Sequence, residues 1–363
     1  MSARIAVVGA GLAGLTCARR LADAGADVTV FEKSRGPGGR CATRRSEFGP
    51  FHHGAPSFSA FSPAFQTEVA RWQAAGWVAA GAQVGRWVGV PTMNALARQL
   101  AIGLKVVTEA TVTALVRDAD AAGGEGLAWR LLVAEAAAGG VVGDAAWRHF
   151  DAVVTAVPVE QALALTTDSL PLQAPLRAVH SQPCWTLMLA WPPGAAPAAP
   201  PALPDGGALA AIVDCSMLKQ AGAAATPAPG TRWTLHASAV WSRAHVEDAP
   251  AVATAALLHA LSAASSAAAS GASSDALVTP AHAAAHRWRY AQVVSPAAAP
   301  CGWDAALQLG GCGDAWHGAA AAGLPPLEGI ERAWLSAVAL ADVLLQSPVL
   351  TPAEPPLVPP FAP

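Results

Sequence analysis

The residues with most chemistry to offer stand at the start of the chain. Ile5-Ala6-Val7-Val8 runs into Gly9-Ala10-Gly11-Leu12-Ala13-Gly14, and a second apolar run, Val28-Thr29-Val30-Phe31, delivers Glu32 eighteen residues after Gly14. A strand, a G-x-G-x-x-G turn opening a helix, and a second strand ending in an acid make a complete dinucleotide-binding unit. In such a unit the first glycine makes the tight turn, the second lets the backbone approach a pyrophosphate, and the third lets the helix pack closely on the strand. The phosphates sit on the helix N-terminus, so Ala10, Leu12 and Ala13 join the three glycines as cofactor-binding candidates. Glu32 can accept hydrogen bonds from an adenosine ribose, and its charge would repel a 2′-phosphate, which argues against NADP in this slot.

The loop after Glu32 bears on which dinucleotide is bound. Lys33-Ser34-Arg35-Gly36-Pro37-Gly38-Gly39-Arg40-Cys41-Ala42-Thr43-Arg44 is rich in glycine and carries several guanidinium groups. Such a loop supplies N–H donors and a planar fork to a second face of the pyrophosphate, with Lys33, Gly39 and Arg40 as candidates. Far along the chain, Leu307-Gln308-Leu309-Gly310-Gly311-Cys312-Gly313-Asp314 reads as a strand entering a tight turn that ends in a carboxylate, followed by a helical pattern from Ile330 to Leu345. A nicotinamide dehydrogenase has no evident need of that second turn. FAD does, because its ribityl chain and ring extend well beyond the first. Non-covalent FAD is the cofactor expected, with Gly313 and Asp314 at its ribityl end.

Together, GAGLAG, FEKSRGPGGR, GGCGDA and ERAWLSAVALA resemble the flavin-containing amine oxidase superfamily, and within it the bacterial renalase group. Phe51-His52-His53-Gly54-Ala55-Pro56-Ser57-Phe58, Arg86-Trp87-Val88-Gly89-Val90-Pro91 with Met93-Asn94-Ala95-Leu96, and His286-Arg287-Trp288-Arg289-Tyr290-Ala291 add to the likeness. The motifs span residues 1 to about 345. The resemblance implies further cofactor contacts from His53, Gly54 and Ala55, from Val112 near the adenine, and from Ala333 and Trp334 in a helix whose N-terminus points at the flavin N1/O2 edge and stabilises reduced flavin. Two departures bear on the ring environment. The family usually has an acid before His-Gly-Ala where this chain has His52, and a Gln and an aromatic residue where it has Pro56-Ser57.

These motifs imply an α/β fold: a Rossmann-type FAD-binding domain interleaved with a substrate domain built on a mixed or antiparallel sheet. The domain boundaries expected are 1–60, 92–172 and 300–350 for FAD binding, 61–91 and 173–299 for substrate, and 351–363 as a Pro-rich tail. The runs Lys105 to Val107, Thr111 to Val116, Trp129 to Ala134 and Trp147 to Pro158 read as strands, the last apolar enough at Asp151 to Pro158 for a parallel sheet buried on both faces. Trp185 to Trp191 and Arg232 to Trp241 read as strands of a sheet that roofs the flavin. Phe65 to Trp77 and Met93 to Ala101 read as helices. Two Pro-, Gly- and Ala-rich loops, at 195–208 and 221–230, carry no chemistry.

Composition narrows the rest. The 363-residue chain has a net charge of only −3, which marks neither a nucleic-acid surface nor an electrostatic membrane anchor. The longest uncharged stretch, 249–274, reads as an amphipathic helix followed by a small-residue loop rather than a membrane span. The chain enters its first strand at once, and a cytoplasmic protein is the expectation. Its six cysteines form no C-x-x-C pair and no metal spacing, pointing to reduced, mostly buried thiols and no metal site. Cys312, beside the flavin turn, is the alternative point for covalent flavin attachment.

The superfamily's amine oxidases flank the amine with two aromatic side chains, commonly tyrosines, and place a lysine near flavin N5. This chain has one tyrosine, Tyr290, and its lysines are Lys33, Lys105 and Lys219. A two-tyrosine cage is impossible, although Trp or His could replace it. Bacterial renalases oxidise dihydronicotinamide isomers reduced at the wrong ring position. Hydride loss from such a ring yields an aromatic cation directly and requires no general base. A stacking surface and polar groups for a carboxamide suffice, and the substrate-side candidates are His52, His53, Trp288, Tyr290 and His245, with His236 a further one. The partners expected are a small-molecule substrate and O2, reduced to H2O2. Two other readings remain: an oxidase or desaturase acting on an amine or small hydrophobic molecule, and a non-catalytic flavin-binding redox sensor.

Overall fold

The computed structural model describes residues 2–117, 129–135, 145–197, 199–218, 230–268, 278–319, 323 and 325–350. The chain runs β1 (Arg4–Val8), α1 (Leu12–Asp23), β2 (Asp27–Phe31), a hairpin of β3 (Arg44–Ser46) and β4 (Gly49–Phe51), α2 (Pro63–Ala74), β5 (Val78–Ala80), β6 (Trp87–Gly89), α3 (Met93–Ala101), β7 (Lys105–Val107), β8 (Ala110–Arg117), β9 (Trp129–Glu135), β10 (Ala146–Phe150) and β11 (Ala152–Thr155). It continues through α4 (Val159–Leu165), α5 (Leu170–Leu176), β12 (Ser181–Trp191), β13 (Leu209–Asp214), β14 (Thr231–Ala237), α6 (Ala239–Ala244), α7 (Pro250–Ala268), β15 (His282–Val293), β16 (Gly302–Asp304), β17 (Leu309–Gly311) and α8 (Gly329–Leu345). Lys219, the loop at 221–229, the end of the uncharged stretch at 269–274 and the tail at 351–363 lie outside the described residues.

The fold is mixed α/β. A six-stranded sheet in the order β16-β17-β11-β1-β2-β7 is parallel except for the β16–β17 pair. Ile5, Val7, Val28, Val30, Ala152 and Val154 meet the buried stripes of α1, α3 and α8 on one face. Ala6, Val8, Phe31 and Val153 meet Trp129, Leu131, Val133 and Phe150 of the β8–β9–β10 meander on the other. Burial on both faces accounts for the uninterrupted apolar runs at 5–8 and 152–154. Residues 61–91, grouped with the substrate domain on sequence, pack elsewhere: Phe65, Val69, Trp72 and Val78 share the helical core of Leu15 and Leu340. Glu331, fully buried in α8, fastens that segment by accepting from the N–H groups of Phe61 and Ser62 at 2.9 and 2.7 Å.

The second sheet, β13-β14-β12-β15, is antiparallel throughout. Its outer face, with Trp185, Leu187, Leu189, Trp191, Trp233 and Leu235, is covered by Ala253, Leu257 and Leu261 of α7. The expected strand from Arg232 to Trp241 stops at Ala237, because Ser238 accepts from the Trp241 N–H and caps α6. The helix expected in only the first half of the uncharged stretch continues to Ala268. Among the described residues no helix is long and apolar enough to cross a membrane. The inner face of this sheet alternates with the outer one and presents Cys184, Thr186, Met188 and Ala190 from β12, Arg232, Thr234 and His236 from β14, and His282, Ala284, His286 and Trp288 from β15. It rests on the β3–β4 hairpin through Phe48, Phe51, Met188 and Ala190. Buried Arg232 fastens the contact by donating to the carbonyls of Phe48, Cys215 and Ser216.

Candidate cofactor and substrate site

The three glycines of the first turn do three different things. Gly9 has φ +107 and lies against Ala156 O, which a β-carbon would approach to 2.5 Å. At Gly14 a β-carbon would stand 2.0 Å from Gly9 O, so only glycine lets α1 begin this close to β1. A β-carbon on Gly11 would meet nothing within 4 Å. Gly11 is the N-cap of α1 and gives it no side-chain cap, which leaves the first N–H groups facing open space. That is a cradle for an anion. Of the candidates around it, Ala10 does not face this space, because its N–H donates to Glu32 Oε2 at 2.9 Å. Glu32 is also held by the Ser34 N–H at 2.8 Å, which fixes its carboxylate at the tip of β2.

The other cofactor candidates lie in line with that cradle. The glycine-rich loop folds back on the first turn: Gly38 N–H donates to Ala10 O at 3.0 Å, and Gly39, at φ +50, would carry a β-carbon 3.2 Å from Gly11 Cα. Arg40 and Asp314, 274 residues apart, form a two-pronged pair at 2.7 and 2.5 Å. Gly54 sits so close to the Arg40 carbonyl that a β-carbon would stand 2.1 Å away, and Ala55 N–H donates to the same oxygen at 2.8 Å. Gly313 has φ +139 and open space around it, and Gly329, first residue of α8, lies against the Asp314 carboxylate. Beyond Glu32 a cleft of about 640 Å³ is lined by Lys33, Ser34, Arg35, Glu109, Thr111, Thr113, Ala134 and Glu135. Val112 turns into the core, so the side chains lining the cleft come from its neighbours. Trp334 likewise turns away, its ring 5.4 Å from that of Phe65, and Ala333 faces the helical core. One track thus joins Glu32, Gly11, Arg40, Asp314 and the start of α8, as an extended dinucleotide requires.

Where this track passes beneath the second sheet, four imidazoles meet. Thr186 is the strand partner of both His236 and His286, giving a row of three polar side chains across the inner face. His53 approaches from below, its ring 5.0 Å from His286 and 5.1 Å from Trp288, while Trp288 Nε1 donates to His53 O at 2.7 Å. His52 Nδ1, His53 Nδ1, Thr186 Oγ1, His236 Nε2 and Thr43 Oγ1 are buried with no hydrogen-bond partner. Each such atom costs about 1–3 kcal/mol unless something fills the space and pairs with it. The His53 ring N–H points to Ala42 O and that of His236 to His52 O, which leaves His53 Nδ1 and His236 Nε2 as acceptors. Burial pushes His52 down to about 4 and, with help from His286 and Arg44, His53 down to about 3. Burial lowers His236 and His286 as well. The cluster of four imidazoles is therefore neutral at pH 7.

These depressed values carry a stability prediction. Both histidines stay neutral in the fold and charge near 6.5 when unfolded, so their contribution is fully present above pH 6.5. It is lost as pH falls toward about 4 for His52 and about 3 for His53. The loss is expected to reach ~3 kcal/mol for His52 alone. Thermal unfolding followed from pH 8 to 4 should show it, with a shallower slope in His52→Gln; equal slopes would contradict the burial argument.

His245, a substrate candidate on sequence, is on the wrong side of the sheet. It stacks on Trp241 at 4.1 Å, bonds Asp248 Oδ2 at 2.8 Å, and accepts through its carbonyl from outer-face Trp185. Tyr290 lies in the irregular stretch where the β12–β15 register shifts, half-buried, two residues beyond Trp288. Sequence reasoning missed His286 as a pocket residue, although His282-x-x-x-His286-x-Trp288 is the period-two spacing of one strand face. It also missed Thr186, which only the pairing of three strands reveals. Among the described residues no group of three or more His, Cys, Asp or Glu side chains could hold a metal.

Fold and site together define a Rossmann-type nucleotide-binding domain whose glycine-lined track runs under an antiparallel sheet. Comparison with known proteins agrees. The family described as an NAD(P)-binding Rossmann-like domain matches residues 7–72. A zeta-carotene-forming phytoene desaturase of Myxococcus xanthus is 68% identical over 38 residues, a match covering 10% of this chain and 7% of that protein. Cyclohexylamine oxidase from Brevibacterium oxydans IH-35A superposes with a TM-score of 0.60 at 11% identity, over 95% of this chain and 99% of that one. An oxidoreductase from Methanosarcina mazei superposes with a TM-score of 0.58 at 12% identity, over 93% and 100%. At such identities the likeness is one of fold.

Proposed function

We propose that the protein is an FAD-dependent oxidase of small reduced substrates, and that its substrate is a dihydronicotinamide isomer. FAD in the track, held non-covalently, would supply the acceptor for a hydride and hand the electrons to O2 as H2O2. Gly11 and the start of α1 would hold the pyrophosphate, Glu32 the adenosine ribose, and Arg40 and Asp314 the middle of the cofactor. The first turn of α8 would sit near the ring and favour negative charge there.

The observation that carries the substrate reading is the neutral, acceptor-bearing wall. Trp288 offers a flat face, and His53 Nδ1 and His236 Nε2, buried and unpaired, are acceptors that match the N–H groups of a primary amide. Among the described residues no carboxylate pairs with His52, His53, His236 or His286, so an ammonium would be desolvated there without a counter-charge. The ring needs no base to lose hydride, and neutral imidazoles with values near 3 and 4 offer none that titrates near pH 7.

Flavin reduction by a dihydronicotinamide isomer is accordingly expected to be flat in rate between about pH 6.5 and 9, where amine oxidation would climb as the amine loses its proton. Single-turnover absorbance of the FAD-loaded protein across that range is the check, and a rate rising tenfold per pH unit would count against the reading. A protein that stays colourless after incubation with FAD would remove the cofactor assignment altogether.

A further inference from the structure

We propose that Arg44 is a specificity residue that binds a phosphate on the substrate's tail, so that the enzyme takes phosphorylated nicotinamide nucleotides in preference to the riboside. This rests on the dihydronicotinamide reading of the pocket.

The hairpin sets the position. Arg44 on β3 is the strand partner of Phe51 on β4, and the Phe51 ring stacks on His282 of β15 at 5.8 Å and 26°. Arg44 therefore runs beneath the same strand that carries His286 and Trp288. Its charge acts on His282, and on His53 and His286 farther along the sheet, lowering all three. Yet Arg44 is exposed, and among the described residues no carboxylate stands within ion-pair distance of it. Glu47, farther along the hairpin, influences His282 but not His53 or His286. Arg45, next in the strand, alternates to the other side, where its charge acts on Arg98. Among the described residues, then, this guanidinium on the sheet-facing side of the hairpin is solvent-exposed and has no acidic partner.

A nicotinamide seated by its amide against His53 and His236 would leave the substituent on its ring nitrogen free to reach toward the hairpin and solvent. The riboside ends there in a neutral hydroxyl, whereas the mononucleotide ends in a phosphate. A guanidinium fork matches two phosphate oxygens, and an exposed contact of this kind is worth about tenfold in affinity at low salt, falling as salt screens it.

The test compares the FAD-loaded wild type with Arg44→Gln and Arg44→Lys. Kinetics use isomeric dihydronicotinamide mononucleotide and riboside, and equilibrium titration of tryptophan fluorescence uses the oxidised mononucleotide and riboside, so that binding is read whether or not turnover occurs. In wild type the mononucleotide should bind about tenfold more tightly than the riboside, and this preference should vanish in Arg44→Gln and return in part in Arg44→Lys. In kinetics the loss should appear in KM for the mononucleotide, with kcat unchanged and the riboside unaffected. Added salt should erase the wild-type preference. Equal affinity for the two ligands in wild type, or a preference that survives Arg44→Gln, overturns the proposal. Phosphate-dependent binding without flavin reduction would overturn the proposed function and leave Arg44 as a phosphate site.

Discussion

Replacing Gly11 with aspartate is expected to give a folded protein that binds FAD at least about 100-fold more weakly than wild type, because a fixed carboxylate would occupy the anion cradle. A β-carbon at Gly11 meets no atom within 4 Å, and φ −77 with ψ 180 is a conformation any residue adopts. Aspartate is also a favoured N-cap, so it would satisfy first-turn N–H groups of α1 and raise the stability of the unliganded protein by roughly a few tenths of a kcal/mol. Stability and cofactor affinity should therefore move in opposite directions. Gly14 makes the contrast: a β-carbon 2.0 Å from Gly9 O disrupts the fold itself. Denaturant melts of unliganded protein, paired with FAD titrations, separate the two effects. Wild-type flavin affinity in Gly11→Asp would mean that the cofactor lies elsewhere.

The second large effect belongs to Trp288. Truncation to alanine removes the flat face of the pocket and the indole N–H that holds the His53 carbonyl at 2.7 Å. The flavin-reduction rate is expected to fall about 100-fold, roughly 2.7 kcal/mol of barrier. Trp288→Phe keeps a stacking ring but loses the hydrogen bond, and it should recover part of that loss. Rapid mixing under anaerobic conditions reads the rate directly. Trp288→Ala and wild type reducing at the same rate would show that the ring is packing rather than substrate surface.

The first strand-helix-strand unit is legible in sequence because its geometry is local. Gly9, Gly11, Gly14 and Glu32 belong to one strand-helix-strand unit, so their spacing alone fixes where the backbone must turn tightly and where it must pack closely, as it does at Gly9 and Gly14. Arg40 and Asp314 are legible for another reason: a guanidinium and a carboxylate each end a glycine-rich turn, and their chemistry foretells a shared site although nothing foretells that they pair with each other.

The roof is harder to read, since its functional face is defined by strand pairing. His286 could have been found from alternation along one strand. Thr186 could not, because its place between His236 and His286 depends on the register of three strands. His245 illustrates the converse: once Ser238 ends the strand and starts α6, the period-two rule no longer says which face a side chain takes, and the helix carries His245 to the outer side. The segment 61–91 escapes a sequence reading because its core partners, Leu15 and Leu340, are distant along the chain.

A neutral cluster of imidazoles, with no carboxylate paired to it among the described residues, suits an uncharged dihydronicotinamide rather than an ammonium. Anaerobic mixing of the FAD-loaded protein with dihydronicotinamide isomers, and separately with amines such as cyclohexylamine, tests it most directly through the visible absorbance of the flavin. Rapid bleaching by an isomer and none by the amines is expected; bleaching by amines alone would contradict the dihydronicotinamide assignment.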